Sequence, residues 1–190
     1  MNILQKCQQG NPPTFPKCIV YRNLADTYYN LHNIGEAEYY AIQALEEALK
    51  NQNPQILCES YYIIGQIRRS RKQNEEACSL FLKALALAER TYNGYYLVQI
   101  RIDLSKLYCG QNRLGEASRT IKDAYDLAQQ LDYPVLKRNT ALTMAEICQL
   151  TRNDKMLIEA LTAFRDVTRI MEQENIHRQQ VFTKAQLMLF

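Results

Sequence analysis

Tryptophan is absent, glycine (6) and proline (5) are scarce, and only two histidines occur in 190 residues. So few chain punctuators leave room for few kinds of turn and favour long helices with short joints. Two histidines (His32 and His177) give no metal-ligand spacing with any cysteine. No run of about 18 apolar residues occurs, which leaves no candidate membrane span. The first residues, Met1 to Lys6, hold no apolar core of signal-peptide length. Charge of one sign is also missing: 23 Lys and Arg against 20 Asp and Glu leave a net +3, too little to point to nucleic acid. Gly-rich phosphate loops, G-x-S-x-G elbows and paired acid and base residues are lacking as well. These absences point to a cytoplasmic, non-catalytic protein without cofactor or metal and without membrane insertion.

What is present excludes disorder: 47% of residues are hydrophobic and 23% charged. The six cysteines (Cys7, Cys18, Cys58, Cys78, Cys109, Cys148) sit among apolar residues with no C-x-x-C pair and read as free, mostly buried thiols. Thirteen tyrosines include the pairs Tyr28-Tyr29, Tyr39-Tyr40, Tyr61-Tyr62 and Tyr95-Tyr96. At helical spacing half of each pair faces a core, so packing explains them better than a binding platform.

The informative pattern is an internal repeat. Ala25, Gly65, Ser105 and Ala145 step by 40 residues, as do Leu24, Ile64, Leu104 and Met144. Ala37, Ala77 and Ala117 keep the step, and so do Ala44, Ala84 and Ala124. The second pair of small residues, two helical turns apart, shares one helix face. A short polar turn separates it from the first. Small residues at such places let two antiparallel helices approach closely. Breakers fall between repeats at Asn53-Pro54, Asn93-Gly94, Tyr133-Pro134 and Glu174-Asn175. Each repeat therefore reads as helix, turn, longer helix and loop, and stacking four of them builds one continuous core.

These residues resemble the tetratricopeptide repeat, over roughly residues 18–177, with repeats longer than the usual length of about 34 residues. Longer repeats of this kind look like those of kinesin light chains, spindle-orientation adaptors and the peptide-sensing regulators of Gram-positive bacteria. The resemblance implies an all-α solenoid of antiparallel helix pairs, a right-handed superhelix. Residues 1–17 read as a short helix with a Pro-rich lead-in, and four repeats follow (18–57, 58–97, 98–137, 138–177). Residues 178–190 read as a capping helix or the start of a truncated fifth repeat, and their apolar end suggests a longer chain or a docking tail. Two departures stand out. Leu157 and Phe164 replace expected alanines in the fourth repeat, which should spread or bend its helices, and Arg68 stands where Tyr28 and Tyr108 do. An arginine there costs burial unless it is paired or reaches solvent.

In such arrays the first helix of each repeat lines a concave groove that touches a peptide or a partner helix. The resemblance assigns that role to Arg22, Asn23, Asp26, Tyr29 and Asn30 in the first repeat and to Glu59, Tyr62, Gln66 and Arg69 in the second. The third repeat offers Gln99, Asp103 and Lys106, and the fourth Asn139, Thr143 and Glu146. Mixed charges with amides and tyrosines suit main-chain hydrogen bonding and a few ion pairs. A carboxylate clamp of the chaperone-tail kind begins with Arg22 and Asn23 but is interrupted by Ile63 and Asp103. An asparagine ladder of the sensor kind has only Asn23, its counterparts being Ile63, Asp103 and Thr143. The expected function is a protein-interaction scaffold or adaptor whose partner is a protein or peptide. The alternative is the peptide-sensing regulatory domain of a bacterial transcription or phosphorelay regulator.

Overall fold

The computed structural model describes residues 16–187, with side chains through residue 180. The short helix expected over residues 1–10 and the chain's last residues lie outside this range. Among the described residues the chain is all-α: α1 (Lys17–Asn30), α2 (Ile34–Lys50), α3 (Pro54–Ser70), α4 (Asn74–Arg90), α5 (Gly94–Gly110), α6 (Leu114–Gln130), α7 (Pro134–Thr151) and α8 (Asp154–Leu187). None of these helices is long and apolar enough to cross a membrane. The helices form two compact halves, Met1–Thr91 and Tyr92–Phe190. In the first, α1 pairs with α2 and α3 with α4, and α3 packs across both members of the first pair. In the second, α5 with α6 and α7 with α8 repeat that arrangement.

Most joints are three residues long, and their chemistry is uniform. His32, Gln52, Lys72, Tyr92, Asn112 and Arg152 all have positive φ, between 49° and 62°. Left-handed residues at these steps close Schellman motifs: Asn33 N–H donates to the Tyr28 carbonyl and His32 N–H to that of Tyr29. Asn53, Gln73, Arg113 and Asn153 repeat the longer of these bonds to Ala48, Arg68, Tyr108 and Cys148. Not one of the six is glycine, which explains how a glycine-poor chain turns so often at a modest strain cost per turn. Asparagine then starts the next helix. Asn33, Asn53, Asn93 and Asn153 each accept a backbone N–H from the first turn they precede.

The 40-residue step is the step of the packing. Ala25, Gly65, Ser105 and Ala145 are all buried, as are Ala37, Ala77, Ala117, Ala44, Ala84 and Ala124. Within the first half, Ile63, Ile64 and Ile67 of α3 pack with Ala25, Ala37 and Ala41 of the preceding pair. Within the second, Met144, Ala145 and Ile147 of α7 pack with Ala117, Ile121 and Ala124 of α6. Leu157 and Phe164 join that cluster at its partly buried edge, while Ala160 is fully buried.

Two features depart from what the pattern suggested. Residues 174–175, read as a boundary between the fourth repeat and a separate terminal helix, lie inside α8, which is continuous for 34 residues. Neither glycine nor proline stands there to stop the helix, and Arg178 reaches back one turn to Glu174. Arg68 meets no burial penalty, because it is doubly paired: Nη1 lies 2.6 Å from Glu38 of α2 and Nε 3.2 Å from Glu76 of α4. Arg71 joins Glu38 at 2.6 Å. Burial pushes the Glu38 carboxyl upward, but Arg71 and Arg68 together outweigh that and hold it below its ordinary value.

The cysteines of the described residues are free thiols: Cys18, Cys58 and Cys148 are buried, and Cys78 and Cys109 half-buried. Tyrosines pack as the pair spacing suggested. Tyr28 of α1 stacks on Tyr40 of α2 at 5.5 Å and 3° between planes, and Tyr39 meets Tyr40 edge-on.

Candidate functional site

The candidate residues lie on the first helices of the repeats, and burial divides them sharply. A first helix is covered by its own partner helix and, within each half, packs against the neighbouring pair, so a wide arc of it faces protein. Glu59, Tyr62, Asp103 and Thr143 fall within that arc and are buried, contrary to their assignment as exposed groove residues. Tyr62 packs its ring against Phe81 at 5.8 Å, and its hydroxyl accepts a hydrogen bond from Gln66 Nε2 at 2.9 Å. Gln99 repeats that bond one turn back, to the Tyr95 hydroxyl at 3.1 Å.

Glu59 is the most consequential of the buried group. Its Oε2 lies 2.6 Å from Arg22 Nε, so the pair ties α1 to α3. The N–H is not aligned on that oxygen, so the contact is an ion pair rather than a hydrogen bond. Gln55, one turn earlier on α3, donates from Nε2 to Oε1 at 3.2 Å. Burial raises the Glu59 pKa, Arg22 and Gln55 oppose the rise, and the nearby charge of Asp26 adds to it. Arg22 and Glu59 are thus held by each other and offer a partner little. Gln55 was missed in sequence, although its place four residues before a glutamate on one helix was a usable signal.

The other candidates are exposed or half-buried, polar and regularly placed. Asn23, Asp26 and Asn30 are exposed on α1, with Tyr29 half-buried beside them. Gln66 and Arg69 are half-buried on α3. On α5 Lys106 is exposed and Gln99 half-buried; on α7 Glu146 is exposed and Asn139 half-buried. One register position recurs among them. Asp26, Gln66, Lys106 and Glu146 each follow the small buried residue of their helix. In the first half α1 touches α3, which sets Asp26 and Gln66 on adjoining first helices; in the second α5 touches α7, which does the same for Lys106 and Glu146. The packing residue stays small from repeat to repeat while its neighbour runs through acid, amide, base and acid. Within each half such a pair can offer a bound chain hydrogen-bond donors and acceptors and single charges. Among the described residues no group of three or more His, Cys, Asp or Glu is placed to hold a metal ion.

Residues 56–130 match a family model described as Tetratricopeptide repeat. Among solved structures the chain is similar to BtubC (BKLC) from P. vanneervenii, at 15% identity and a TM-score of 0.71 over 82% of this chain and 64% of that one. It is similar to the putative kinesin light chain TPR-like repeats of Podosopora anserina, at 13% identity and a TM-score of 0.62 over 90% and 84% of the two chains. A third likeness is to PH0952 of Pyrococcus horikoshii, a signal transduction ATPase with a tetratricopeptide repeat sensor, at 15% identity and a TM-score of 0.68. That match covers 89% of this chain but 27% of that protein. No curated protein sequence matches the chain. At these identities the likeness is one of fold, and this chain spans 64% of the length of BtubC.

Proposed function

We propose that this chain, an all-α array of tetratricopeptide repeats, is a non-catalytic interaction scaffold that receives a peptide or helix of a partner protein along its first helices. Tetratricopeptide repeats in general mediate protein–protein interaction. The observations that carry it are the adjoining pairs Asp26 and Gln66 in the first half and Lys106 and Glu146 in the second, each beside a small packing residue; Asp26, Lys106 and Glu146 are exposed, and half-buried Gln66 also holds the Tyr62 hydroxyl. Asn23 and Asn30 on α1 and Arg69 on α3 extend the first pair, and Gln99 and Asn139 on α5 and α7 the second. Arg22, Glu59, Tyr62, Asp103 and Thr143 act beneath them, fixing the first helices in place.

The test replaces the four residues of these pairs together, Asp26→Ala, Gln66→Ala, Lys106→Ala and Glu146→Ala, and compares partner capture by affinity purification and mass spectrometry. Each lost hydrogen bond or ion pair is worth about 1 kcal/mol, so the combined loss of about 4 kcal/mol weakens binding roughly a thousandfold. The expected result is loss of the captured partners with the helical circular-dichroism signal and melting temperature retained. Unchanged capture would move the site elsewhere. Arg22 and Tyr62 are unsuitable probes, because their removal disturbs packing.

A second reading, the sensory part of a larger regulator, draws on the likeness to the PH0952 chain, whose tetratricopeptide repeats are named a sensor. In that case a short peptide alone should saturate these residues and raise the melting temperature, as ligand linkage requires. A scaffold would instead need a folded partner.

A further inference from the structure

The two ends of the described array are the two halves of its own internal junction. At that junction α3 lays Ile63, Ile64 and Ile67 across Ala37 and Ala41 of the pair before it, and α7 lays Met144 and Ile147 across Ala117 and Ile121. The step of 40 identifies the same positions at the ends. On the last pair, Leu142 stands at the register of Ile102 and Leu161 at that of Ala41 and Ile121. The internal residues are at most 4% exposed, whereas Leu142 is 43% and Leu161 48% exposed. On the first pair, α1 presents Val20, Asn23, Leu24 and Thr27 at the registers of Thr140, Thr143, Met144 and Ile147 of α7. All four α7 residues are buried, while Val20 is 40% exposed. Polar groups are tolerated on this face: Thr143 is buried at the register of Asn23, and Thr27 satisfies its own hydroxyl on the Asn23 carbonyl.

A second observation concerns the rim. Between the first two repeats, Glu38 of α2 pairs with Arg71, which closes α3. Their end counterparts are Ile158 on α8 and Leu31 after α1. Both have become apolar, and they are the two most exposed aliphatic side chains among the described residues, at 67% and 68%. Apolar has replaced charge on both sides of one contact.

We infer that a second copy of this chain seats its α1 face on the α7–α8 face of the first, with Leu31 on Ile158 and Val20 and Leu24 on Leu142 and Leu161. The contact is heterologous, since a different surface of each copy is used, and so adds copies head to tail. It would bury apolar surface that repeat arrays ordinarily cover with a polar capping element. It takes Asn23 from the proposed scaffold surface and leaves Asp26, Gln66, Lys106 and Glu146 uninvolved.

Sedimentation velocity of the full chain over a range of concentrations tests this. The expected result is mass growth with concentration that passes beyond two copies. Leu31→Arg and Ile158→Glu each place a charge against an aliphatic side chain, and each should abolish the growth with an unchanged helical signal. The double variant recreates the Arg71–Glu38 pairing and should restore association, now weakened by salt. A monomer at every concentration would overturn the inference. So would a double variant that associates no better than the singles, or association that appears only after residues 1–15 are deleted, since that would assign the α1 face to the chain's own start.

Discussion

Substituting Gly65 by alanine tests the close helix approach most directly. Glycine inside a helix ordinarily costs about 1 kcal/mol relative to alanine, so Gly→Ala at an open site stabilises by about that much. Gly65 is not open. A Cβ added there would lie 2.6 and 2.7 Å from two ring carbons of Phe81. Carbon atoms separate at about 3.5–4 Å, so something must move by roughly 1 Å. Phe81 cannot move freely, because it is fully buried and holds the Tyr62 ring. Such overpacking costs about 1–3 kcal/mol, which exceeds the gain in helix propensity. Gly65→Ala should therefore destabilise by about 1 kcal/mol, a fall of about 2–4 °C in melting temperature for a chain of this size. Gly115→Ala supplies the control, since nothing lies within 4 Å of a Cβ there, and it should be stabilising. Urea unfolding followed by circular dichroism reads both. Phe81→Ile in the Gly65→Ala background should recover the loss, because Ser105 and Ile121 occupy the equivalent positions in the third repeat. If Gly65→Ala stabilised as much as Gly115→Ala, the argument that small residues set the helix spacing would be wrong.

The two partnered glutamates should respond to pH in opposite senses. Glu59 has a folded-state pKa raised by burial, so its contribution is fullest below its unfolded value and is lost as pH rises through the folded one. Glu59→Gln should abolish that fall in denaturant stability, which sets in above the ordinary carboxylate pKa; a persisting slope would count against the assignment. Glu38, held low by Arg71 and Arg68 against its burial, contributes above its unfolded pKa and loses that as pH falls through the folded one. Glu38→Gln should cost about 1 kcal/mol at neutral pH, with the gap to the parent closing in acid. A gap independent of pH would refute the pairing as its source. Cys58, its thiol pushed up to about 12 by burial and by the Glu59 charge and donating to the Ala84 carbonyl, should resist alkylation until the chain unfolds. Peptide mapping should find half-buried Cys78 modified first, and equal rates would show that the α3–α4 pair opens readily.

The 40-residue step was legible without coordinates because it is a packing constraint. Two helices can approach closely only where both carry small side chains, and that requirement returns with each repeat. Helix ends were legible as well at Asn53 and Asn93, caps whose side chains the backbone N–H groups require. The composition excluded a chain with many kinds of turn, but it could not say that six joints would adopt left-handed backbone with His, Gln, Lys, Tyr, Asn and Arg. Other outcomes belonged to the fold alone. Which side of a first helix is covered depends on the helices packed around it, so sequence placed Glu59, Tyr62, Asp103 and Thr143 at a surface where the structure buries them. The pairing of Arg68 with Glu38, thirty residues away in sequence, likewise exists only after α2 and α3 have packed. Local spacing determined the elements and their period. The tertiary structure decided which polar side chains are buried and which stay exposed, because burial is a property of neighbours that no single helix carries.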